Sequence, residues 1–177
     1  PVKHPEAAKA RQRYVLRRMV ELDPDNLASS VKLGELYAKS GKGAEALSLF
    51  QRAAADLKAN HRNDDWVKVA ERIAQLTPDD LALARELAHS YLGKGDTKRA
   101  LVKLQQCFKA DRKDVETLNL LAQAFTDLGQ TSKTLSVFKE LARVYEEQGR
   151  RGEARSTWRR VVQIAPEDPD APDALGT

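Results

Sequence analysis

A chain of 177 residues with 41% hydrophobic and 32% charged side chains is folded rather than disordered, with room for one sizeable core or one array of repeats. Its net charge of +4 permits an acidic protein or nucleic acid as partner without requiring either, and its one cysteine, Cys107, excludes an internal disulfide framework. No apolar run approaches the roughly 20 residues of a membrane span, and the opening PVKHPEAAKARQR lacks the apolar stretch of a signal peptide.

Ala, Leu, Glu, Lys and Arg dominate and β-branched runs are nearly absent, which predicts an all-α fold. Nine antiparallel helices are expected in chain order, over 6–22, 27–39, 44–60, 64–76, 81–93, 97–109, 115–128, 132–147 and 151–164. The junctions use Gly, Asn or Asp, residues suited to helix caps. Proline followed by an acid ends helical stretches at Pro24, Pro78 and Pro166, because proline removes a donor and restricts its neighbour. After the first break come Leu33-Gly34, Tyr37, Gly41, Ala46, Phe50 and Ala53; after the second, Leu87-Ala88, Tyr91, Gly95, Ala100, Leu104 and Cys107. A third copy reads Leu121-Ala122, Phe125, Gly129, Thr134, Phe138 and Leu141, and the step from Leu87 to Leu121 is 34 residues.

The spacing has physical content. Gly34, Ala88 and Ala122 allow close helix approach, and Tyr37, Tyr91 and Phe125 fill the gap one turn later. Gly41, Gly95 and Gly129 supply the left-handed residue that closes a helix. From Leu33 to Leu87, however, is 54 residues, one pitch of 34 and a remainder of 20. The register also restarts after Phe138, through Leu141-Ala142, Tyr145, Gly149, Ala154, Trp158 and Val161. Helices 44–60 and 132–147 are therefore expected to close one hairpin and open the next, and to be long. Trp66 either fills space left by the short spacing or anchors a partner.

The pattern resembles the tetratricopeptide repeat family, a helix–turn–helix of 34 residues. The resemblance implies a right-handed α-solenoid of antiparallel helix pairs over 1–166; the missing initiator Met leads us to expect a segment of a longer protein, and the acidic, proline-rich composition of 167–177 a flexible tail. The resemblance also implies an inner face lined by the first helix of each pair. The side chains there that do not serve packing are Lys32, Glu35 and Lys39, then Arg85 and His89, then Asn119, Gln123 and Thr126. The shared helices add Gln51 and Lys58, or Lys139 and Arg143. Amides can satisfy the backbone of an extended peptide, and Arg and Lys its acids. Some family members clamp a chaperone's C-terminal carboxylate with Lys and Asn; Val31 and Glu35 stand at those places and argue against that mode.

Little points to chemistry. His4, His61 and His89 are scattered, so no metal site is expected. GKG at 41–43 and GKGDT at 93–97 lack a phosphate loop's earlier glycine and its Lys-Ser/Thr pair, and Cys107 has the setting of a buried core thiol. Neither a catalytic activity nor a cofactor is expected. Two basic groups stand out: Arg11, Arg13, Arg17 and Arg18 near the start, and Arg150, Arg151, Arg155, Arg159 and Arg160 near the end, with Arg155 and Arg159 on one helix face. Their interleaved acids and the scarcity of exposed aromatics weigh against nucleic acid. Neither end looks capped, with Val15, Leu16, Met19, Val161, Val162 and Ile164 partly bare, so the ends could meet a partner or a second copy.

The resulting expectation is a non-catalytic scaffold in a reducing, bacterial cytoplasmic setting. It would bind a linear peptide or a folded protein, such as a small GTPase of a polarity, motility or secretion system. An RNA-binding helical repeat using the basic terminal helices is the alternative.

Overall fold

The computed structural model describes residues 5–23 and 26–170; His4, the Pro24 break and residues 171–177 of the expected tail lie outside them. Among the described residues there are nine helices and no strand: α1 (Pro5–Leu22), α2 (Leu27–Lys39), α3 (Gly43–Ala59), α4 (Asn63–Leu76), α5 (Leu81–Gly93), α6 (Thr97–Ala110), α7 (Val115–Asp127), α8 (Thr131–Glu147) and α9 (Arg151–Ile164). They fall into two compact units, Pro1–Asp80 with α1–α4 and Leu81–Thr177 with α5–α9. The all-α, helical-repeat architecture matches the sequence reading.

Five turns join their helices in the same way. The first residue past the cap sits in the left-handed region, and the following amide bonds back five residues, as in Lys42 N to Tyr37 O and Gln130 N to Phe125 O. Gly41, Gly95, Gly129 and Gly149 hold that conformation at φ of 74°, 74°, 65° and 71°. After α3 the same place is taken by His61 at φ 54°, a non-glycine where Cβ meets backbone oxygen. Replacing His61 with Gly is expected to raise stability by about 1 kcal/mol, read as an upward shift of the urea midpoint.

The shared helices are present and unbroken. α3 and α8 are 17 residues each, against 13 or 14 for the other helices after α1. α3 packs against α2 on one side and α4 on the other, and α8 likewise against α7 and α9. Where α2 crosses α3 the backbones close up on Phe50, which is 1% exposed. A Cβ on Gly34 would stand 2.7 Å from its ring, which is why α2 carries glycine there.

A longer period underlies both units. Leu27 and Val115, Gly43 and Thr131, and Asn63 and Arg151 begin equivalent helices, 88 positions apart in each case. α1 and α6 end at Leu22 and Ala110 with the same offset. The chain is thus a four-helix module built twice, with α5 between the copies. His61 and Gly149 are matched positions in it.

The copies solve one packing problem in two ways. Trp66 and Ala70 on α4 stand where Ala154 and Trp158 stand on α9, so the large residue moves one helical turn. Both tryptophans are buried, at 5% and 3% exposure, and Trp66 serves packing. The shared helix touches each through one matched position: Lys58 Nζ lies 5.0 Å from the Trp66 ring, and Glu146 accepts the Trp158 indole N–H at 2.7 Å.

The ends are less bare than expected. Val15, Met19 and Leu22 are exposed, but Leu16 is buried under α1's contact with α2, and Val161 is enclosed with Leu118, Leu141 and Trp158. After α9 the chain turns back: Asp168 is 7% exposed, and Asp168 and Asp170 lie 2.6 and 3.0 Å from Lys139 Nζ.

Candidate functional site

Each copy of the module leaves a groove edged by polar side chains between its second and fourth helices, floored by a phenylalanine of the shared helix. In Pro1–Asp80 the groove, of about 400 Å³, is lined by Glu35 and Lys39 of α2, Arg72 and Gln75 of α4, and Phe50. In Leu81–Thr177 the matched groove, of about 520 Å³, is lined by Asn119, Gln123, Thr126 and Asp127 of α7, Arg160 and Gln163 of α9, and Phe138. Helix spacing places these side chains. In α7, Leu118, Leu121 and Ala122 point into the core, which turns Asn119, Gln123 and Thr126 to another face.

The two grooves differ in electrostatics. In the first, Glu35 forms an ion pair with Arg72 that bridges α2 and α4. In the second, Gln123 replaces the glutamate at the matched position, and the Arg160 guanidinium instead lies 5.6 Å from the Phe138 ring. Asn119 donates to Val115 O and, at 3.4 Å, to the Tyr145 hydroxyl, which fixes the amide's direction. The second groove therefore presents three amides, that of Asn119 fixed in direction, with the cation Arg160 and the acid Asp127 at its edges, groups able to pair with peptide backbone and its charged side chains.

The other sequence-predicted residues divide. Lys32 is exposed on α2 and lines a neighbouring hollow between α2 and α4, and His89 is exposed on α5. Arg155 and Arg159 are exposed on α9 and lie outside the groove lining. Lys139 and Arg143 are engaged by the chain itself, through Asp168 and Asp170 for the lysine and Asp170 at 3.2 Å for Arg143. That pairing holds the Asp168 carboxyl below its ordinary range. Sequence reasoning missed Arg72 and Gln75, and placed Arg160 in a basic cluster rather than here. The 88-residue period, which matches Arg72 to Arg160 and Gln75 to Gln163, was the signal for them.

Arg85, expected on the binding face, has a structural partner. Its guanidinium lies 2.8 Å from Asp114 and 3.5 Å from Glu116, joining α5 to the start of α7. Asp114 is also the N-cap of α7, accepting from the Thr117 amide at 3.0 Å and from its hydroxyl. Burial alone would raise the Asp114 carboxyl; the hydrogen bonds from Thr117 and Arg85 outweigh it and hold the group below its usual range. With the folded value depressed, the stabilisation is complete above about pH 4 and is lost as pH falls further. An Asp114→Ala variant is expected to lose about 1 kcal/mol at neutral pH, the difference from wild type shrinking in acid melts. Cys107 is buried, its Sγ 3.6 Å from Leu81 O, and burial pushes its thiol up, a setting without nucleophilic character.

Stacked helical hairpins with a shared helix in each module define a helical-repeat protein. Profiles of the tetratricopeptide repeat match residues 3–61 and 140–168. The second match begins inside α8, as it must if that helix opens the last hairpin. The chain is a tetratricopeptide repeat protein. Among solved structures it resembles MamA, with 14% identity and a TM-score of 0.51 over 78% of this chain and 89% of that one. It also resembles the ArsTM double mutant of MamA RS-1, at 15% identity and a TM-score of 0.54 over 85% and 89%. At such identities the likeness shows the fold alone. No curated protein matches the chain in sequence. Members of this family are in general non-catalytic and bind other proteins, and no helix among the described residues is long and apolar enough to cross a membrane.

Proposed function

We propose that this chain is a non-catalytic scaffold that holds a partner protein through the α7–α9 groove. The observation that supports this reading is the amide row Asn119, Gln123 and Gln163 beside Arg160 over Phe138, which meets the demands of an extended segment carrying an acid. The matched α2–α4 groove is pinned by the Glu35–Arg72 pair, so a ligand there must displace an internal contact. A bacterial cytoplasmic setting and a partner such as a small GTPase belong to this reading as its finer form.

The test is affinity capture from lysate of the source cells, comparing wild type with Gln123→Ala, Arg160→Glu. Loss of a specific protein from the variant supports the groove, and identical captured sets refute it. Captured proteins that survive as folded domains after limited proteolysis distinguish a folded partner from a linear one. The RNA alternative rests on the exposed Arg155 and Arg159 of α9. It requires salt-sensitive retention on RNA that Arg155→Glu, Arg159→Glu abolishes.

A further inference from the structure

The twofold module carries a second pair of grooves, between its first and third helices. In Leu81–Thr177 an apolar cleft of about 450 Å³ opens between α6 and α8 over α7, with Leu121 and Phe125 as floor and Phe108 and Val137 as walls. In Pro1–Asp80 the cleft between α1 and α3, of about 640 Å³, has Leu33 and Tyr37 as floor and Val20 and Leu49 as walls. Every one of these residues is the counterpart, 88 positions away, of one in the other cleft.

The rims reverse sign at two matched positions. Lys109 on the α6 lip and Glu140 on the α8 lip stand where the other copy has Glu21 on α1 and Arg52 on α3. Arg112 adds a second cation at the α6 lip, its guanidinium 5.9 Å from the Phe108 ring. Along α6 the exposed stripe continues through Val102, 65% exposed, to Lys98. An apolar floor supplies affinity but accepts any bulky side chain; the charges along the lips decide which segment enters and in which direction.

We propose that the α6–α8 cleft docks an acidic peptide segment of a partner protein. Its bulky apolar residue rests on Leu121 and Phe125, its carboxylates face Lys109 and Arg112, and a basic side chain on its other edge faces Glu140. Charge complementarity selects this occupant: a uniformly anionic strand such as nucleic acid would meet Glu140 on one lip, whereas a peptide can set acids against Lys109 and Arg112 and a base against Glu140. The α1–α3 cleft is lined by Arg17 as well as Glu21 on α1 and by Glu45 as well as Arg52 on α3, so each of its lips carries both signs and neither offers the segment's acids a wholly basic edge. This surface is separate from the α7–α9 groove, on a different face of α7.

Panning random dodecapeptides on the full chain tests the proposal. The enriched sequences are expected to carry Leu, Ile, Phe or Trp flanked by Asp or Glu, and a fluorescein-labelled winner to bind one per chain. Lys109→Glu with Arg112→Glu, both exposed positions, should weaken that peptide at least about tenfold with an unchanged circular dichroism spectrum. Glu21→Lys with Arg52→Glu should convert the other cleft and raise the stoichiometry to two. The proposal is overturned if the winners lack acids, if the converted chain still binds one, or if polyuridylate displaces the peptide at equal concentration. It is overturned too if Gln123→Ala abolishes binding while the Lys109, Arg112 variant does not; that result would leave the α7–α9 scaffold reading standing.

Discussion

Trp158→Ala should destabilise Leu81–Thr177 by about 3–5 kcal/mol, measured by urea unfolding followed by far-UV circular dichroism. The indole is 3% exposed amid Leu118, Tyr145 and Val161, and its removal leaves a cavity that rigid helical neighbours close only in part. Adding Ala154→Trp should return more than about 1 kcal/mol of that loss, because the matched positions of α4, Trp66 and Ala70, already hold the reversed pair. Ala154→Trp alone should cost about 1–3 kcal/mol by overpacking. The two substitutions then couple with a favourable sign, each harmful alone and compensating together. Simple additivity would show that the two modules pack their tryptophans by unrelated means.

The second large effect concerns the shared rods. Ala142 lies in the middle of α8 with 0% exposure, so Ala142→Pro removes an interior hydrogen bond, clashes with the preceding turn and forces a ring into a filled layer. The loss should exceed about 3 kcal/mol. Its distribution is the sharper prediction. α8 is the common wall of two hairpins, so amide hydrogen exchange should accelerate across α7, α8 and α9 together. Exchange confined to α8 would contradict the sharing of one helix by both hairpins.

The helices were legible because local rules write them. Gly41, Gly95, Gly129 and Gly149 mark chain reversals, proline-acid pairs mark other ends, and the irregular step from Leu33 to Leu87 disclosed two helices with double roles. His61 was not legible as a left-handed residue, since its type gives no signal and only the register matching Gly149 does. The site was harder to read. A repeat register states which face a side chain occupies but not what it meets across the fold, so Arg85 looked available although Asp114, far along the chain, holds it. Lys139 and Arg143 were misleading for the same reason, their acids lying beyond the last helix. Leu16 and Val161 read as bare because the ends of an array look unfinished in sequence even where a neighbouring helix covers them.

A chain that writes the same four helices twice runs a hazard while it folds: either copy of a rod could seize the other copy's mate. Lys58 and Glu146, which meet their tryptophans in different ways, would oppose the exchange. Were α3 to seize α9, an ammonium would confront an indole N–H, donor against donor. Were α8 to seize α4, a carboxylate would lie against the electron-rich face of Trp66. The differences between the copies would thus disfavour a crossed, trapped topology during assembly.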